Sequence, residues 1–180
     1  MSRIHECVVG CKKIGDSFVV AKNRDRTYKP TISIVHHVEP NKEYIVLHDK
    51  DTSYVEGYNV TSGIGILNSA VENSADFGVT KSSEGLNVLR ALLAAKSPKH
   101  AAEMMCEEGH EVYGNTIVID KAGATLLEFA RDKKPVILDV SQADIPTVRT
   151  NHTTKIPGGG FTLDGDHMDY ISSMTRKAVG

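Results

Sequence analysis

The stretch HECVVGCKKIGDSFVVAKNRDRTY, residues 5–28, decides how the fold opens. CVVGCKK and SFVVAKN are rich in residues that suit strands. Between them IGDS holds Gly15 and Asp16, which tolerate the backbone angles of a tight turn. A β-hairpin is expected. With the turn centred on Gly15 and Asp16, antiparallel partners have numbers summing to about 31. Cys7 then faces Arg24 and Asp25, while Cys11 faces only the apolar Val20.

Working outward, TISIVHHVE, EYIVLHD and GIGILNS read as further strands, the first two alternating clearly enough to bury one face. SSEGLNVLRALLAAK shows helical spacing at Leu86, Leu89 and Leu93. SPKHAAEMMCEEGH opens a second helix with Ser97 as N-cap and Pro98 at the first helical position. NTIVIDKAGATLLEFA is a second hairpin, turning at Lys121, Ala122 and Gly123, and PVILDV and PTVRTN are short strands. The tail IPGGGFTLDGDHMDYISSMTRKAVG is a glycine-rich loop running into a third helix. Strands, then helices, then strands indicate an α+β layered fold over alternating βαβ units. There is no internal repeat.

At 180 residues and 40% hydrophobic content the chain can bury a core of its own. A formal charge of -2, from 21 basic and 23 acidic residues, provides no basic stripe for nucleic acid. No apolar run reaches a membrane span, and MSRIHE lacks the apolar core and cleavage site of a secretory signal, so a cytoplasmic protein is expected. The cysteines Cys7, Cys11 and Cys106 have spacings that fit neither a disulfide framework nor a zinc knuckle. No cofactor and no metal ion is expected: His36, His37 and His152 read as surface or hydrogen-bonded core groups.

A lone cysteine is most often a small buried hydrophobe, and Cys11 and Cys106 are read that way. Cys7 differs because Asn23, Arg24 and Asp25 lie across the hairpin, where charged groups tune a thiol. It lacks an obvious side-chain base. A cut between Glu6 and Cys7 would supply one, since an α-amine with an ordinary pKa of about 7.7 to 8.0 can take the thiol proton in neutral water.

An N-terminal cysteine strand returning into AKNRD resembles the N-terminal nucleophile (Ntn) hydrolases of the choloylglycine hydrolase, penicillin V acylase and acyl-coenzyme A:6-aminopenicillanate acyltransferase group. The likeness continues through EGYNVTSGIGILN, IDKAGATLLE, RTNH and GDHMDYISSMTR, in the family's order, across residues 7–176. The resemblance implies an Ntn-hydrolase-like αββα sandwich, with residues 1–6 as a short propeptide and 7–180 as the domain. Relatives continue past the point that matches Arg176, so the domain is expected to be incomplete at its C-terminal end. By the same resemblance Cys7 is the nucleophile, Asp25 the carboxylate that holds the amine or thiol, Asn68 and Asn151 the oxyanion donors, and Arg176 the closing guanidinium.

Two departures accompany the likeness. Lys22 stands where the family carries Arg, and the segment from Gly57 to Asn68 holds one extra residue. Each implied role also has a plainer reading: Asn68 and Asn151 as turn caps, Arg176 as a helix-surface charge, and GGG at 158–160 as a lid. The expected activity is hydrolysis of a small-molecule N-acyl amide through a thioester. Acyl transfer, or non-catalytic binding of an acyl ligand, stands as the alternative, and a homo-oligomer is left open.

Overall fold

The computed structural model describes residues 5–26, 29–50, 54–71, 84–160 and 167–179. Within them the chain is an α+β protein with antiparallel sheets. In chain order the strands are β1 (His5–Ile14), β2 (Ser17–Arg26), β3 (Ile32–Glu39), β4 (Lys42–Asp49), β5 (Tyr54–Asn59) and β6 (Ile64–Ser69). Helices α1 (Glu84–Ala94) and α2 (Pro98–Met104) follow, then β7 (Gly114–Ile119), β8 (Ala124–Phe129), β9 (Val136–Asp139), β10 (Thr147–Arg149) and α3 (His167–Val179). Residues 1–4 of the expected propeptide, Ser82 and Ser83 before α1, and Gly165 and Asp166 before α3 lie outside the described residues.

The opening hairpin has the expected register: Cys7 pairs with Arg24 and Cys11 with Val20. Gly15 takes φ 60°, as a two-residue turn with Gly at its first central position requires. β10 adds to the other edge of β1, giving a three-stranded sheet of order β10-β1-β2. The remaining strands form a seven-stranded meander from β3 to β9.

One face of this larger sheet packs on α1 and α2 through Ile64, Ile66, Val88, Leu92, Ala101, Met105, Val118 and Leu127. The other face meets the small sheet through Val9, Cys11, Ile117, Ile119 and Leu126, with Phe18 and Val20 against them. Full burial of one such aliphatic side chain contributes about 1.5–3 kcal/mol, so the two apolar layers hold the sheets and helices together. α3 reaches β1 at the Cys7 end.

Three local readings are corrected. YVEGYN, to which the sequence analysis assigned no element, forms β5 although Glu56, Gly57 and Asn59 interrupt its apolar pattern. Glu56 is held there by Lys22. A side chain at Gly57 would run into the carbonyl of Ile45, so the glycine permits the close β4–β5 approach. In α1 the buried stripe is Val88, Ala91 and Leu92, whereas Leu86 is 66% exposed. Finally, α2 stops at Met104, so Cys106 sits in the turn beyond the helix rather than within it.

Candidate active site

Strand pairing decides which side chains can meet Cys7. Side chains alternate faces along a strand, and directly opposed residues share a face. On β1 and β2 the face toward the large sheet therefore carries Cys7, Val9, Cys11, Lys22 and Arg24. Cys7 is 1% exposed.

Two residues far along the chain close on its backbone. Cys7 donates its N–H to Asn151 Oδ1 at 2.8 Å. Arg176 on α3 donates Nη1 to the Cys7 carbonyl at 2.7 Å and to Asn151 Oδ1 at 3.0 Å. Arg176 Nε lies 3.6 Å from Glu6 Oε2, and Ser172 Oγ donates to the same carboxylate oxygen at 3.3 Å. Thus α3 grips the peptide on both sides of the Glu6–Cys7 bond.

Asn151 is itself fixed. Its side-chain amide donates to the Ala70 carbonyl at 2.8 Å, and its backbone N–H donates to Ser173 Oγ at 3.0 Å. Ser173 Oγ also lies 2.7 Å from His152 Nδ1, and Thr150 Oγ1 donates to the Ser173 carbonyl at 2.9 Å. Burial, reinforced by the charges of Lys177 and Arg149, pushes the His152 imidazole down to about 4. It is neutral at pH 7. Of the glycine run expected as a lid, Gly158 is exposed while Gly159 and Gly160 are buried against this segment: His152 bridges Gly160, and Thr153 donates its N–H to the Gly159 carbonyl at 2.9 Å. A side chain at Gly160 would strike the Asn151 carbonyl.

Asp25 and Asn68 do not join the cluster. Asp25 pairs with Glu6 and so lies on the face opposite to Cys7; it is exposed and accepts from Asn23 Nδ2 at 3.0 Å. Asn68 pairs with Thr116 and shares the helix-facing side of the large sheet with Ile64 and Ile66. Its side-chain amide donates to Thr116 Oγ1 at 2.7 Å and to the Tyr113 carbonyl at 3.4 Å. Of the five residues singled out in the sequence, Cys7, Asn151 and Arg176 are brought together.

The large sheet supplies Asp49, Glu56 and Tyr54, to which the sequence reading gave no role, and these meet Arg24 and Lys22 of the small sheet. Arg24, directly across from Cys7, gives Nη2 to the fully buried Asp49 at 2.9 Å. Lys22 pairs with the buried Glu56, which also accepts the Asn68 backbone N–H at 3.1 Å. Tyr54, cross-strand from Asp49, is buried in this cluster. Burial, then the carboxylates of Glu56 and Glu84, push its hydroxyl well above the ordinary tyrosine range. It remains an O–H donor. Arg24 Nε and Nη1 and the Tyr54 hydroxyl have no hydrogen-bond partner among the described residues. A buried donor without an acceptor is disfavoured by about 1–3 kcal/mol, which makes their concentration at one thiol notable. The signal for Arg24 lay in the hairpin register; β5 offered none for Tyr54.

Glu128 anchors the rear of the site. Burial favours its neutral form, but hydrogen bonds from Lys155 N–H, Thr154 and Arg149 outweigh that and hold the carboxyl below its usual range. Arg149 Nε lies 2.7 Å from Glu128 Oε1, tying β10 to β8. The other two thiols are poorly ionised: burial pushes Cys11 up to about 11 and Cys106 up to about 12. Among the described residues no three His, Cys, Asp or Glu side chains gather as a metal site needs, and no helix is long and apolar enough to cross a membrane. No protein-family model matches the chain, and no curated protein matches it.

Proposed function

We propose that this chain is a cysteine-dependent hydrolase of linear amide C–N bonds, an Ntn hydrolase of αββα architecture whose nucleophile is Cys7. The observation that carries the reading is the convergence of Asn151 and Arg176 on the backbone of Cys7. A thiol serving only as core packing has no need of two long-range polar groups that fix its own N–H and C=O.

Removal of residues 1–6 turns the Cys7 N–H into an α-amine still facing Asn151 Oδ1. That amine takes the thiol proton as Sγ attacks the acyl carbonyl, then returns it to the leaving amine. Water hydrolyses the thioester. Asn151 in this account orients the amine as a hydrogen-bond acceptor, and Arg176 holds both Asn151 and the Cys7 carbonyl. The substrate is a small N-acyl amide, and an amine in place of water makes the same site an acyltransferase. Three free thiols suit the reducing cytoplasm.

The outward position of Asp25 favours a second reading, a non-catalytic relative that holds an acyl ligand. Turnover of N-acyl amino acids, penicillin V and conjugated bile acids separates the two. Hydrolysis by the parent and its loss in Cys7→Ala supports the enzyme. A parent inactive on every amide supports the binding module.

A further inference from the structure

Four buried hydrogen-bond donors stand unused near Cys7: Arg176 Nη2, whose guanidinium already holds the Cys7 carbonyl, and Arg24 Nε, Arg24 Nη1 and the Tyr54 hydroxyl. Arg24 is the cross-strand partner of Cys7, and Asp49 takes only its Nη2. Nε and Nη1 are buried with no hydrogen-bond partner among the described residues. The Tyr54 hydroxyl is in the same condition, and Tyr54 is the cross-strand partner of Asp49. The groups acting electrostatically on that hydroxyl include Glu56, Glu84, Arg24 and Cys7, which puts guanidinium, phenol and thiol in one neighbourhood.

The nearby charges are otherwise matched, Lys22 with Glu56 and Arg24 with Asp49. Among the described residues these donors have no acceptor. The residues expected to donate to an oxyanion have their amide groups engaged elsewhere: Asn68 on Thr116 and Tyr113, Asn151 on Ala70.

We propose that Arg24 and Tyr54 are the oxyanion donors of this site, receiving the acyl carbonyl oxygen as Cys7 Sγ adds to it. The inference rests on the hydrolase reading above. In the addition an Sγ–C bond forms, the carbonyl π pair moves onto oxygen, and the thiol proton passes to the Cys7 α-amine. On collapse the C=O bond re-forms, the C–N bond breaks, and the ammonium gives its proton to the leaving amine. Water then adds to the thioester carbonyl, giving its proton to the amine. As that adduct collapses the Sγ–C bond breaks, the acid departs and the thiol is restored. The oxygen bears negative charge in both additions, beside the Arg24 guanidinium that Asp49 holds in place. Arg24 and Tyr54 are then catalytic residues.

The test uses matured parent protein, Tyr54→Phe, and the double variant Arg24→Gln/Asp49→Asn, which removes the guanidinium without leaving Asp49 charged and alone. Circular dichroism checks folding, and Tyr54→Phe carries the test by itself if the double variant does not fold. The probe is carbonyl-13C benzyl trifluoromethyl ketone, whose hemithioketal on Cys7 keeps an oxygen where the oxyanion forms, because its electron-poor carbonyl resists the loss of water by which an aldehyde would close a thiazolidine with the α-amine. Iodoacetamide alkylation of Cys7, which builds no such oxygen, is the control. The expected result is an adduct in the parent that weakens at least tenfold in each folded variant, with alkylation changed by less than twofold. On amides kcat falls by roughly 10²- to 10³-fold per donor, with KM little altered. Unchanged ketone affinity in folded variants overturns Arg24 and Tyr54 as donors and leaves the hydrolase reading standing. A parent that forms no adduct and resists alkylation at Cys7 overturns both.

Discussion

The backbone N–H of Cys7 is held at 2.8 Å by Asn151 Oδ1, a contact between residues 144 positions apart. It sets the position of the group that the proposed cut before Cys7 would turn into an α-amine. Asn151→Ala removes the acceptor and frees the Ala70 carbonyl as well. The expected outcome is slower loss of residues 1–6 and a turnover lowered on the order of 10²-fold, the effect of a misplaced reacting group. Intact mass against time and steady-state kinetics on the matured fraction check it. Unchanged values for both, in folded protein, remove Asn151 from the site.

Glu6 gives a cleaner separation between maturation and turnover. Its carboxylate is held by Arg176 and Ser172, yet the proposed cut before Cys7 would remove residue 6 from the mature chain. A partly buried pair of this kind is worth about 1 kcal/mol, or roughly fivefold in rate. Glu6→Gln should slow maturation by that order while mature protein turns over at the parent rate. Equal maturation rates would show that the Arg176–Glu6 contact does not guide the cut.

The raised thiols of Cys11 and Cys106 predict a labelling pattern. At pH 8 both are overwhelmingly protonated, and only the thiolate attacks iodoacetamide. Peptide mapping should find neither labelled while the protein is folded, and both labelled in urea. Cys11→Ala and Cys106→Ala should retain most of the activity. Loss from Cys11→Ala in folded protein would transfer the nucleophile to that position.

His152 makes stability depend on pH over a defined range. Its imidazole is lowered from 6.5 to about 4 in the fold, so below pH 6.5 the unfolded chain takes up a proton that the folded chain refuses. The stability it contributes is complete above pH 6.5 and is lost as pH falls through about 4. The lowered Glu128 carboxyl acts at more acid pH, below its ordinary 4.5. Urea midpoints between pH 7.5 and 4.5 should therefore fall more steeply for the parent than for His152→Gln. Parallel slopes would mean that His152 titrates normally in the fold.

How far the sequence could be read follows from the range of the contacts involved. The β1–β2 register needed only one turn, and Gly15 with Asp16 marked it, so Cys7 opposite Arg24 and Cys11 opposite Val20 were legible. The same register argued against Asp25. Neighbours on a strand face opposite ways, so the side chain beside Arg24 could not share its face. Asn68 was beyond reach, because its face is set by successive pairings from β4 to β7. β5 was hidden by Glu56 and Gly57, whose reasons for being in a strand are Lys22 on the facing sheet and the close carbonyl of Ile45. Asp49 was invisible for the same reason: nothing local marks a residue whose partner, Arg24, comes from another sheet.

The most direct test of the account is the covalent state of Cys7 during turnover. Purified protein is mixed with an N-acyl p-nitroanilide, quenched in acid and examined by intact-mass and peptide mass spectrometry. The account predicts a chain that begins at Cys7 and carries one acyl group on that residue's sulfur, with no adduct in Cys7→Ala. Active protein that still begins at Met1 or Ser2, or an acyl group found on any other residue, contradicts it.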